Sequence, residues 1–137
     1  MEKLFNVGAK GIIHTGQGYL LLRKVLDNGE SFWDVPGGRI NGEESIESTL
    51  HRELEEELPS INIRSIGNLE GVFRVSRDIK KDVGLVLLYY SVEADFTGNE
   101  ISISDEHESL FQVKSIDDIP QEGLNPVVVD ILKSKLT

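Results

Sequence analysis

The residue pattern predicts an α/β (α+β) fold, a mixed β-sheet sandwiched between helices. The order of segments predicts it, and length and composition bound it. Strand-type segments come first, then one strongly patterned helix, then more strands and a closing helix, an order suited to a sheet with helices packed on its faces. The 137 residues fit one domain, taken as 1–137, long enough to bury a core without a structural metal. Cysteine is absent, so the chain builds no disulfide framework and no thiolate metal site, and catalysis cannot use a thiol.

Phe5–Ile13 and Tyr19–Val25 read as strands joined at Thr15-Gly16-Gln17-Gly18, a hairpin-type turn cluster. Phe32–Val35 is a short apolar segment ending at Pro36-Gly37-Gly38. A helix is expected from about Ser45 to Leu58, with Ser45 or Glu44 near its start and Pro59 stopping it. The stretch Ile61 to Val75 is β-rich, with a break expected around Gly67-Asn68. Val83–Phe96 is the strongest strand signal, with Gly98-Asn99 as the turn after it, and Leu110–Val113 is a further short strand. Asn125 and Pro126 form an N-cap and first-turn pair opening a last helix through about Lys135.

Charge narrows the function classes. The chain carries 24 acids against 14 bases, a formal net charge of −10. Such a surface repels nucleic-acid polymers and anionic membranes. No apolar core for a secretory leader stands near the N-terminus, where Gly8, Lys10 and Gly11 interrupt the run. The longest apolar run, Leu85–Tyr90, is far short of a membrane span. The expected location is the cytoplasm, with no membrane partner.

Seven of the acids fall between Glu43 and Glu57, and only Arg52 compensates them there. A solvated helix face is one reading of such a run. The spacing offers another. At about 100° per residue, Ile46, Leu50, Leu54 and Leu58 form one apolar stripe, and Glu57 falls between Ile46 and Leu50. Glu53 lies just beyond that edge, with Glu56 further round. Carboxylates thus border the face turned towards the protein. Glu53 and Glu57 are also a like-charge pair four residues apart, at the helix end where the macrodipole disfavours anions. A compensating cation would relieve these costs, and hard oxygen ligands without His or Cys point to Mg²⁺, Mn²⁺ or Ca²⁺.

The stretch Gly38–Glu57 resembles the Nudix box, G-x5-E-x7-R-E-U-x-E-E-x-G-U, where U is a bulky aliphatic residue. Gly38, Glu44, Arg52, Glu53, Leu54, Glu56 and Glu57 stand in register with it. Six identities at fixed spacing arise by chance at about 10⁻⁷ per start position, taking roughly 7% per residue type. The preceding Phe32-Trp33-Asp34-Val35-Pro36-Gly37-Gly38 is similar to the family's lead-in. Pro59 and Ser60 depart from the pattern at the helix exit, beyond the carboxylates, where Ile61 is available for the missing apolar contact.

The resemblance implies a Nudix-type α/β/α sandwich and a Mg²⁺-dependent hydrolase of the MutT type, with Mn²⁺ as a substitute metal, cleaving a pyrophosphate bond in a small-molecule nucleotide substrate. It makes Glu53, Glu56 and Glu57 metal ligands, joined by the Gly37 carbonyl, and Arg52 the residue that orients a ligand glutamate. An ordinary i,i+4 pairing with Glu56 is the other reading of Arg52. Glu44 would support the loop-helix structure. Ser104-Asp105-Glu106-His107-Glu108 resembles a late segment of many members, which makes Glu106 a distal ligand or general base, unless it is a solvated acidic loop. His14 and His51 read as structural or surface residues.

For substrate contacts the resemblance points to Arg23, Asp34, Gly37, Gly38 and Asn125. Arg23 is a phosphate contact or a strand-end surface arginine. Trp33 stacks on a base or belongs to the core. Asn125 reads a purine edge, as an amide with donor and acceptor can, or simply caps the last helix. These features point to a nucleoside triphosphate or another nucleoside diphosphate-linked substrate. A nucleotide-sugar or ADP-ribose pyrophosphatase on the same site, a nucleotide-sensing module without catalysis, and a homodimer all stay open.

Overall fold

The first strand, β1 (Leu4–Thr15), organises the sheet, because its two edges are used differently. The computed structural model describes residues 3–78, 80–98, 101–104 and 109–137. On one edge β1 runs parallel to β6 (Val83–Phe96) along its whole length, from Leu4 opposite Val83 to His14 opposite Glu93. The other edge is divided. Its C-terminal end turns through Gly16-Gln17 into β2 (Gly18–Val25), while Gly8–Lys10 pair with the short β4 (Gly37–Arg39). Between the two, the Gly11 amide donates to the Pro36 carbonyl at 2.8 Å.

Strand β2 therefore leaves β1 early and runs between β3 (Ser31–Asp34) and β7 (Ser109–Val113), antiparallel to both. Strand β5 (Ile61–Arg74) pairs antiparallel with β6 at the far edge. The main order is β3-β2-β1-β6-β5, a mixed sheet among the described residues.

Period-two alternation along the strands feeds two cores. Ala9, Ile13, Leu20, Leu22 and Val92 pack with Leu50, Leu54 and Leu58 of α1 (Ile46–Glu57). The intervening Ile12, Leu21 and Tyr89 pack with Val128, Ile131 and Leu132 of α2 (Pro126–Lys135). The helices thus cover opposite faces, giving the α/β/α sandwich. Each leucine of the α1 stripe is fully buried and contributes roughly 1.5–3 kcal/mol of transfer free energy.

Helix ends follow the sequence signals. The Ser45 hydroxyl accepts from the Ser48 amide at 3.0 Å, and Asn125 Oδ1 accepts from the Val127 amide at 2.9 Å. Pro59 follows the last turn of α1, and Ile61, 7% exposed, joins the α1 core. That is the apolar contact missing from the box at Ser60. The expected break at Gly67-Asn68 is not a break. Strand β5 runs through it, and its pairing slips between Ile66 and Leu69, so β-bulges absorb the irregularity. Strand β4 and a 3-10 turn at Ile116–Asp118 carry no apolar alternation and went unforeseen. Among the described residues no helix is long and apolar enough to cross a membrane.

Candidate active site

Two glycines bring the end of α1 against the sheet. Gly37 has φ of 147°, and a Cβ there would lie 2.2 Å from the Ala9 carbonyl oxygen on β1. Only glycine fits that turn. A Cβ on Gly38 would lie 2.3 Å from the Glu53 carboxyl carbon, so the bare backbone makes room for that carboxylate. The Gly37 amide donates to Glu57 Oε2 at 2.7 Å. Two carboxylates from successive turns of α1 therefore converge on one dipeptide.

Glu57 is only 9% exposed, and burial pushes its carboxyl up to about 7 from an ordinary 4.5. The Gly37 hydrogen bond and the Lys10 charge oppose the rise, while Glu53 and Asp34 add to it. Lys10 is equally buried, and its Nζ lies 3.1 Å from Asp34 Oδ2. Asp34 Oδ1 in turn accepts from the Val35 amide at 2.8 Å. Sequence reasoning missed Lys10. Its signal was a lone cation in a strand that the helix order implied would be covered on both faces.

Arg52 orients one of the converging glutamates. Its Nη1 donates to Glu53 Oε1 at 2.7 Å, and its Nε and Nη2 grip both oxygens of Glu44 at 2.7 and 2.9 Å. Nη2 also reaches the Arg39 carbonyl at 3.0 Å. These partners displace the reading of Arg52 as a mere partner of Glu56. Glu44 further accepts from the Asn41 amide and the Thr49 hydroxyl, which ties the loop to the first turn of the helix. The Arg52 bonds hold its carboxyl well below the usual range, at about 2. It is a structural anion.

Glu56 is exposed on the last turn of α1. Glu106 lies outside the described residues, as do Asp105, His107 and Glu108; Ser104, two positions before Glu106 in the chain, donates its amide to the Glu57 carbonyl at 2.9 Å. Arg23 Nη2 donates to Ser31 Oγ at 3.1 Å and lines a depression of about 330 Å³ with Phe32, Trp33, Glu122 and Gly123. Trp33 packs on Phe111 with ring centroids 5.8 Å apart, which favours the core reading. Asn125 caps α2 with its side-chain oxygen. His14 pairs with Glu93 and His51 with Glu55, both at the surface. A larger depression, about 740 Å³ beside His14 and Arg64, is lined by none of the expected site residues.

Among the described residues no three His, Cys, Asp or Glu side chains stand at metal-holding geometry. The donors nonetheless suit a hard divalent cation. Glu53 and Glu57 offer only carboxylate oxygens, with no imidazole or thiol among them, and Gly38 lets the Glu53 carboxylate lie directly against the backbone. The exposed Glu56 stands on the same turn as Glu53 and Glu57.

Comparison with known proteins agrees with this fold. A family model described as NUDIX domain matches residues 4–133. The RNA pyrophosphohydrolase of Pelagibacter ubique is 30% identical over 121 residues, covering 81% of this chain and 73% of that protein. Among solved structures, the MutT NUDIX hydrolase from Burkholderia pseudomallei is 29% identical with a TM-score of 0.71, over 96% of this chain and 98% of that one. The ORF135 protein of E. coli shares the fold, with a TM-score of 0.75 at 23% identity over 97% of this chain and 89% of that one.

Proposed function

The chain belongs to the MutT-type Nudix family of hydrolases, and from that premise we propose that it cleaves a pyrophosphate bond in a nucleoside triphosphate or another nucleoside diphosphate-linked substrate, using Mg²⁺ or, in its place, Mn²⁺. The observation that carries this reading is the convergence of the Glu53 and Glu57 carboxylates on Gly37-Gly38.

A divalent ion held there would supply charge neutralisation at the phosphate oxygens and lower the pKa of a water. Glu53, Glu57 and the exposed Glu56 would hold it, with the Gly37 carbonyl. Arg52 keeps the Glu53 carboxylate aimed by a charge-assisted bond and anchors itself on Glu44, so the ligand does not wander between turnovers. The Gly37 amide fixes Glu57 in the same way. Glu106 is the proposed distal ligand or general base, on its sequence context alone. Arg23 would meet the phosphates, Asp34 and Asn125 the nucleoside.

The chain keeps every box carboxylate, which supports hydrolysis over mere nucleotide sensing. A second reading has one observation in its favour. The relative from Pelagibacter ubique is named for RNA, so the triphosphorylated 5′ end of an RNA is a further candidate substrate. The net charge of −10 weighs against a long polymer.

The test is a Mg²⁺-dependent hydrolysis screen over nucleoside triphosphates, nucleotide sugars, ADP-ribose and a 5′-triphosphorylated oligonucleotide, with products identified. Release of pyrophosphate and a monophosphate, lost in EDTA, is the expected result. No turnover of any of these with Mg²⁺ or Mn²⁺ would reject the proposal.

A further inference from the structure

Lys10 stands where a cation-binding site should least want a positive charge. It is the cross-strand partner of Gly37, the same glycine whose amide holds Glu57. Its side chain is 11% exposed, against 35% for the Asp34 carboxylate it pairs with at 3.1 Å. Burying an ammonium is costly unless anions surround it. Here they do: Asp34 by contact, and Glu57 close enough for the two charges to interact.

The same charge must also oppose any divalent cation that enters between Glu53 and Glu57. A buried pair serving the fold alone would leave cation binding untouched. We propose that Lys10 is a positioning residue for the metal site: its fixed charge holds Asp34, balances the neighbouring carboxylates while the site is empty, and lowers the affinity of the site for divalent cations. The inference rests on the metal site proposed above.

Calorimetric titration of Mn²⁺ into the 137-residue protein without substrate, at pH 8.5, tests it. Lys10→Met and Lys10→Gln are compared with wild type, and Lys10→Gln retains a group able to donate to Asp34 should the methionine variant not fold. Loss of one fixed positive charge is expected to tighten Mn²⁺ binding roughly tenfold. Lys10→Arg, which keeps the charge, is expected to stay within about twofold of wild type. Wild-type affinity in the folded uncharged variants, whatever their melting temperature, would overturn the inference, as would equal tightening in Lys10→Arg. Absence of Mn²⁺ binding by wild type would instead sink the metal site itself, and the inference with it.

Discussion

Glu57→Gln should make the metal-free protein more stable while abolishing its response to metal. The glutamine keeps an oxygen for the Gly37 amide and removes the buried charge. In the folded chain the carboxyl sits at about 7, against an ordinary 4.5. The folded value is the higher one, so this group carries no penalty below about pH 4.5, where it is protonated in both states. The penalty grows as pH rises and is complete above 7. At about 1.4 kcal/mol per pH unit, the gap amounts to about 3 kcal/mol. In a chain of this length that is worth roughly 10 °C in melting temperature. Thermal melts in EDTA should therefore show the variant near wild type at pH 5 and well above it at pH 8.5. Saturating Mg²⁺ at pH 8.5 should raise the wild-type melt and leave the variant unmoved. A variant that melts below wild type at pH 8.5 in EDTA would refute the reasoning, as would a difference independent of pH.

Gly38→Ala drives a methyl into the Glu53 carboxylate, and Mn²⁺ affinity measured by calorimetry should fall at least tenfold with the fold retained by circular dichroism. Arg52→Lys cannot grip Glu44 with two nitrogens while reaching Glu53, so kcat should drop roughly 10- to 100-fold, read in the hydrolysis assay. Asn125→Ala removes the cap of α2 and should cost about 1 kcal/mol by denaturant unfolding. A fall in kcat/KM for purine over pyrimidine substrates in that variant would add a base-reading role.

Much of this was legible in the sequence because it depends on spacing. The stripe Ile46, Leu50, Leu54 and Leu58 set the buried face of α1, and that face forced Glu57 inside. The caps at Ser45 and Asn125 were readable because short polar side chains before helical runs have one physical use. What escaped depends on distant pairing. Strand β4 consists of Gly37, Gly38 and Arg39, whose strand character comes from lying against β1. Lys10 meets Asp34 across 24 residues, and His14 meets Glu93 across 79. Nothing local announces such contacts. The bulges of β5 looked like a break because glycine marks both.

The run of acids looks uniformly unfavourable in sequence, yet the fold distributes the burden very unevenly. Glu43, Glu47, Glu55 and Glu56 face solvent, where repulsion is screened, and His51 partners Glu55. Glu44 and Glu53 share the Arg52 guanidinium, which holds Glu44 at about 2. Glu57 alone is driven the other way despite a backbone donor and the Lys10 charge. The instability is therefore gathered in the single carboxylate that is buried against the Gly37 backbone. A divalent ion entering there would relieve that group above all, so its binding free energy would include the energy stored by folding around an ionised Glu57. The same concentration explains why the stretch from Glu43 to Glu57 can keep seven acids. The four that face solvent cost the fold little, Glu44 and Glu53 are held by Arg52, and Glu57 is unfavourable only until the site is filled.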